Sequence, residues 1–272
     1  MTSPEPLPDH PAVMGKGLLR KIVLFCVNRY FAVQGLKFPP YCSLSNRLDV
    51  LRRGVEPDVR RVCDRLLREG MIVVDVGANL GYLTRQFCRR VGHRGKVFAF
   101  EPDPFTFRYL EFNTRRYANR QLVQCAVSDN HEPAILHLKS AGTGNSLLDP
   151  ANSSESISVP CISLDEFLDK AGRPVVDMVK VDVEGAELHV LRGMRETIAR
   201  LPGLRIIIEY CPKNLLGSTI DPRAVYDEIK AGGFNAQNIR KDGSTQAVDR
   251  FESLESLLNP FGYTNLLCAK TA

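Results

Sequence analysis

The chain has 272 residues, 44% of them hydrophobic, and a formal charge of +5 from 36 Lys and Arg against 31 Asp and Glu. That is apolar material for one large core, and the basic residues lie in scattered short pairs such as Arg52-Arg53, Arg60-Arg61 and Arg115-Arg116, which speaks against a nucleic-acid partner. The eight cysteines show no C-x-x-C spacing and several sit in apolar runs, so they read as buried reduced thiols in a reducing compartment, the cytoplasm.

Residues 1–54 form an N-terminal extension. It opens with Pro4, Pro6, Pro8 and Pro11 and continues over residues 17–33 as a basic amphipathic helix. The apolar core of that helix, residues 22–27, is too short to span a bilayer and is bracketed by Lys21 and Arg29. No small-residue cleavage site follows. Such a helix can lie on a membrane surface as a peripheral contact, or it can pack on its own domain and lid a pocket.

Residues 55–272 read as the enzyme domain. Pro57 opens a helix whose Val59, Val62, Cys63, Leu66 and Leu67 recur at helical spacing, ended by Gly70. A strand over 71–76, a helix over 80–91, a strand over 96–100, a helix capped by Asp103 and begun by Pro104, and a strand over 122–127 make βαβαβ, the unit of a parallel sheet. A strand over 134–138, a polar Gly/Ser-rich loop over 141–156 and a Pro160-containing edge strand over 157–162 come next. Ser163 and Glu166 form a capping box for a helix over 164–170. A strand over 175–183, a helix over 186–199, a strand over 204–210, a helix over 222–231 and strands near 234–239 and 265–269 complete about seven strands. The expected fold is α/β, a mainly parallel, Rossmann-like sheet with helices on both faces.

The first strand ends in Asp75 and breaks into Gly77, Asn79 and Gly81, a turn where a ligand can lie against bare backbone at a helix N-terminus. A nicotinamide or flavin dinucleotide site would show G-x-G-x-x-G, and here Asn79 stands where a pyrophosphate needs glycine. S-adenosylmethionine (SAM) has no pyrophosphate. Its ammonium suits an acid at the strand end, Asp75, and its carboxylate suits the N–H groups of the 77–81 turn. Glu101, at the end of the next strand, can accept from both ribose hydroxyls.

Five blocks carry a resemblance to the FkbM-type methyltransferases, SAM-dependent O-methyltransferases. They are Val74-Asp-Val-Gly-Ala-Asn-Leu-Gly-Tyr82, Phe100-Glu-Pro102, Ala126-Val-Ser-Asp129, Ser163-Leu-Asp165 and Val179-Lys-Val-Asp-Val-Glu-Gly-Ala-Glu187. The resemblance implies a class I methyltransferase fold with an antiparallel seventh strand, Tyr82 in the cofactor turn, and Ala126, Ser128 and Asp129 beside the adenine. It also implies as acceptor a hydroxyl on a small molecule, a sugar or a lipid-linked glycan.

Methyl transfer from a sulfonium needs an aligned acceptor and, for a hydroxyl, a proton acceptor. Asp182, Glu184 and Glu209, at the ends of the fourth and fifth strands, are the candidates, with Asp182 or Glu184 as base or orienting residue. Lys180 shares the Asp182 side of its strand and can pair with it. In the competing reading Glu184 and Glu187 cap the following helix. The three carboxylates could hold Mg²⁺, but no histidine cluster accompanies them and a metal is not the favoured reading. His189 reads as a helix-surface residue. A non-catalytic SAM-binding regulator and an NAD-dependent oxidoreductase stay as alternatives, and the oligomeric state stays open.

Overall fold

A computed structural model describes residues 11–138 and 155–271. In chain order the elements are α1 (Pro11–Val33), α2 (Leu44–Arg53), α3 (Pro57–Leu66), β1 (Ile72–Val76), α4 (Tyr82–Val91), β2 (Lys96–Phe100), α5 (Pro104–Thr114), β3 (Arg120–Val123), β4 (Ala126–Val127), β5 (Ala134–Leu138) and β6 (Glu155–Val159). They continue as β7 (Cys161–Ile162), α6 (Leu164–Lys170), β8 (Met178–Val181), α7 (Glu187–Arg192), α8 (Arg195–Arg200), β9 (Arg205–Tyr210), α9 (Pro212–Gly217), α10 (Pro222–Ala231), β10 (Phe234–Ile239), β11 (Thr245–Val248) and β12 (Thr264–Lys270).

Eight strands form the main sheet in the order β11-β10-β12-β9-β8-β1-β2-β3. The five from β3 to β9 are mutually parallel, and β12 runs antiparallel between β9 and β10. This is the class I methyltransferase arrangement, with β11 added antiparallel at the edge. Side chains alternate across it. Val74, Val76, Val179, Val181, Ile206 and Ile208 pack with residues of α6, α7, α8 and α10. Val73, Val97, Met178 and Ile207 pack with α3 and α4 through Val59, Val62, Leu83 and Phe87. Helices therefore cover both faces.

Several boundaries differ from the sequence reading, each for a local reason. The strand expected over 122–127 is two, because β3 stays in the main sheet while β4 leaves it to pair with β7. The edge strand expected over 157–162 is likewise divided at Pro160, with β6 pairing to β5 and β7 to β4. The helix expected over 186–199 is broken at Gly193 and Met194: Gly193 lies so close to the Ser128 carbonyl that a Cβ would come within 2.4 Å of its oxygen. The Asp165 carboxylate then accepts from the N–H groups of Glu196 and Thr197 (2.9 and 2.8 Å), restarting the helix as α8. Ser163 caps α6 as expected, accepting from the Glu166 N–H, but the Glu166 carboxylate turns to Lys170 and His131 and not back to the cap. The loop expected over 141–156 lies largely outside the described residues.

The extension is fastened to the enzyme domain. The Arg85 guanidinium donates to the carbonyls of Gln34 and Gly35, and Asn113 exchanges hydrogen bonds with the backbone of Lys37. Phe38 stacks between Phe31 and Tyr82. Arg47, buried, holds the carbonyls of Pro39 and Cys42. In α1, Val27 and Phe31 are buried, whereas Leu18, Leu19, Ile22, Phe25, Tyr30 and Val33 are exposed. Apolar residues thus occupy both the packed and the outer side, unlike the amphipathic pattern expected. Among the described residues no helix is long and apolar enough to cross a membrane.

Asp103 caps α5 as expected, accepting from Phe105 N–H and Thr106 Oγ1. The turn after β1 places Gly77 at φ +80°, and a Cβ there would lie 1.8 Å from the Asp182 carbonyl oxygen. Gly77→Ala is therefore expected to destabilise the protein by about 2–4 kcal/mol, read from the urea midpoint, because both the φ and the contact with backbone are strained.

Candidate active site

Three strand ends meet at the carboxyl edge of the sheet. Val76 is in register with Phe100 on one side and Val181 on the other, so the residues that follow, Gly77, Glu101 and Asp182, come together. Gly77 and Ala78 N–H donate to the Phe100 carbonyl, and Asp182 N–H donates to the Val76 carbonyl. These bonds pin the turn between its neighbours.

One cavity runs over this edge, lined by Gly77, Asn79, Glu101, Pro102, Thr106, Ala126, Asp182 and Glu184, with an apolar end made by Cys125, Val127, Val183 and Leu136. Glu101 is buried, and its two oxygens accept from Asn79 N–H (2.9 Å) and Asp103 N–H (3.0 Å). Burial pushes its carboxyl up to about 7 against those two bonds. A carboxylate has about four acceptor sites, so it retains capacity for a diol.

A second cavity lies behind the turn, toward the extension. It is lined by Phe38, Cys42, Asn46, Val50, Glu56, Asp75, Leu80, Tyr82 and Lys180, and shares Gly77, Asn79 and Asp182 with the first. Asp75 is fully buried; its Oδ2 accepts from Thr84 Oγ1 at 2.6 Å, and its Oδ1 has no partner. The Tyr82 hydroxyl and Glu56 Oε2 are also buried without a partner. Burial raises the carboxyl of Asp75 and the phenol of Tyr82 above their ordinary ranges.

Asp75, Lys180 and Asp182 share one face of the sheet, and Asp75 is the register partner of Lys180. Lys180, 4% exposed, places Nζ 2.8 Å from Asp182 Oδ2 and 3.8 Å from Glu56 Oε1. Burial alone would discharge it, but Asp182, Glu56 and Asp75 outweigh burial and raise its pKa. Glu209, next along the edge, has its carboxyl pushed well above the usual carboxylate range, first by burial and then by Asp182 and Glu184.

The sequence candidates divide. The structure brings Asp75, Gly77, Asn79, Tyr82, Glu101, Ala126, Asp182 and Glu184 around the two neighbouring cavities. Gly81 stands just beyond, at φ +81°, as the cap of α4. Ser128 and Asp129 are not brought in: they line a separate surface hollow, where Asp129 Oδ1 meets His189 Nδ1 at 2.8 Å. Glu209 lines neither cavity. Glu184 takes a left-handed conformation (φ +54°), and its Oε2 accepts from Asn214 Nδ2 at 2.6 Å. Glu187 caps the turn, accepting from Gly185 N–H. Among the described residues no group of three or more His, Cys, Asp or Glu side chains is arranged to hold a metal ion. Glu56, Phe38 and Leu136 were missed by the sequence reading. Only Glu56 carried a signal, as an acid directly before the helix-opening Pro57.

The family model for the methyltransferase FkbM domain matches residues 75–235. The chain belongs to the FkbM methyltransferase family. Its relatives include the 2-O-methyltransferase NoeI of Sinorhizobium fredii, 26% identical over 72% of this chain and 88% of that protein. The hexuronic acid methyltransferase AglP of Haloferax volcanii is 30% identical over 53% of this chain and 58% of its own. The 31-O-demethyl-FK506 methyltransferase FkbM of Streptomyces tacrolimicus is 28% identical over 58% and 68%. As a family member the chain is a SAM-dependent methyltransferase, and the oxidoreductase alternative falls away.

Lys180→Met is expected to cost about 3–5 kcal/mol in urea denaturation, because it leaves Asp182, Glu56 and Asp75 to repel one another in a buried site.

Proposed function

We propose that this enzyme transfers a methyl group from SAM to a hydroxyl oxygen of a sugar, a lipid-linked glycan or another small molecule in the cytoplasm. The observation that carries the reading is the convergence of the Gly77–Asn79 turn, Glu101 and Asp182 on one cavity, with Gly77, Asn79 and Asp182 also lining the second. The printed names of the relatives, one a 2-O-methyltransferase, one acting on hexuronic acid and one on the 31-O position of a demethylated FK506, support an oxygen acceptor.

In this reading Glu101 holds the ribose, Ala126 and Leu136 flank the adenine, and Asp75 receives the ammonium. Asp182 lines both cavities. Its Oδ2 is paired with Lys180, so Asp182 acts by orienting the acceptor hydroxyl through its remaining acceptor capacity, with Glu184 beside it. SAM supplies an activated methyl group; the chain supplies alignment and a site for the hydroxyl proton. The test is methyl transfer from labelled SAM to a panel of glycosides, hexuronic acids included, followed by mass spectrometry.

Asp182→Asn is expected to keep the affinity for S-adenosylhomocysteine (SAH) within about threefold and to lower turnover by about 10²-fold or more; unchanged turnover would remove Asp182 from the mechanism. Glu101→Ala is expected to weaken SAH binding by about tenfold or more in calorimetry, the loss of hydrogen bonds to a charged group.

The same proposal includes a peripheral membrane contact through residues 17–33. The exposed Leu18, Leu19, Ile22, Phe25 and Val33 stand beside Arg20, Lys21 and Arg29, and α1 contains no acidic residue, a combination suited to anionic lipid. Cosedimentation with phosphatidylserine vesicles, lost in Phe25→Glu and absent with phosphatidylcholine alone, is the expected outcome.

A further inference from the structure

Glu56 lines the second cavity and has no place in the chemistry so far. Its backbone is left-handed (φ +42°, ψ +63°), a conformation that a residue with a Cβ adopts at a cost of about 1–3 kcal/mol and keeps only where its surroundings impose it. The Glu56 carbonyl accepts from Arg60 N–H to open α3, and the side chain reaches toward Lys180.

The two oxygens of Glu56 differ. Oε1 lies 3.8 Å from Lys180 Nζ, a distant pairing, while Asp182 takes the same ammonium at 2.8 Å. Oε2 is buried with no donor. Across the same cavity the buried Oδ1 of Asp75 is also without a donor. Each such acceptor costs about 1–3 kcal/mol while unsatisfied. With Asp75, Asp182 and Glu56 set against one lysine, the pocket is also short of positive charge. Burial raises the Glu56 carboxyl to about 7 even against the pull of Lys180, so a second cation is what would hold it ionised.

Two carboxylate oxygens without a donor, on residues that line one cavity, match a primary ammonium, which has three N–H donors and needs more than one acceptor. We propose that Glu56 is a second ligand of the donor's α-ammonium, closing with Asp75 on the amino-acid end of SAM. The proposal rests on the SAM reading above. It carries the donor site back beyond the glycine turn, because the residue that completes the ammonium pocket comes before β1.

The test is calorimetry on the full chain with three probes. They are SAH; 5′-methylthioadenosine, which keeps the nucleoside and thioether but lacks the amino-acid group; and the SAH analogue with hydrogen in place of its amino group. In the wild type the order of affinity is expected to be SAH well above both others. Glu56→Gln is expected to weaken SAH by about 10- to 100-fold, the worth of a hydrogen bond to a charged group, while 5′-methylthioadenosine and the deaminated analogue stay within about twofold. Glu56→Asp should restore part of the SAH affinity.

The proposal is overturned if Glu56→Gln weakens all three probes alike. It is also overturned if SAH affinity is unchanged, including the case where methyl transfer alone is lost, which would make Glu56 a proton acceptor for the substrate. Wild-type protein that binds neither SAH nor 5′-methylthioadenosine would instead bring down the SAM reading and this one with it.

Discussion

The ammonium of Lys180 is the group on which the carboxyl edge of the sheet depends. It sits in the middle strand, in register with Asp75 on one side and Ile207 on the other, and it is buried. Two like charges 4 Å apart repel by about 4 kcal/mol in the effective dielectric of a protein surface, so Asp75, Asp182 and Glu56 could not share this space as anions without a cation among them. The parallel sheet makes the meeting unavoidable, since β1, β8 and β9 all end on the same edge. The lysine allows acids to be placed there, and the same acids keep it charged.

Around that point lie the two cavities. The first is lined by residues at strand ends and by Cys125, Val127 and Leu136, all within the stretch that matches the family. The second adds Phe38, Cys42, Asn46 and Glu56, which precede that stretch. They are held by ordinary fastenings, Arg85 and Asn113 on the loop backbone and Phe38 between Phe31 and Tyr82. Asp182 belongs to both parts.

What could be read in the sequence was whatever depends on periodicity and on the sign of local turns. The apolar run over 71–76 gave the strand and the helical spacing of Val59, Val62 and Cys63 gave the buried face of α3, and Asp75, Glu101 and Asp182 were legible because strand ends in a parallel sheet converge whatever lies between them. The pairing of Lys180 with Asp182 was legible for the same reason, as two residues on one side of one strand. The break at Gly193 was not, because its cause is the Ser128 carbonyl, far along the chain. Glu56 looked like the start of a helix and nothing more, since its partners are reached only when α3 folds over β8. Ser128 and Asp129 were placed by family likeness, and they line a hollow apart from both cavities, where Asp129 pairs with His189.

The position of β12 bears on how the protein is assembled. This strand, the last of the main sheet in chain order, lies between β9 and β10, with Asn265 in register with Glu209. Until residues 264–270 have been synthesised, β9 presents an open edge of Ile206, Ile207 and Ile208 with unpaired backbone groups, the kind of surface that joins other chains. Closure of the sheet is therefore a long-range event that waits for residues 264–270 to emerge from the ribosome. A nascent chain stalled before Thr264 would hold β1, β2, β8 and β9 and still lack the strand that covers the β9 edge.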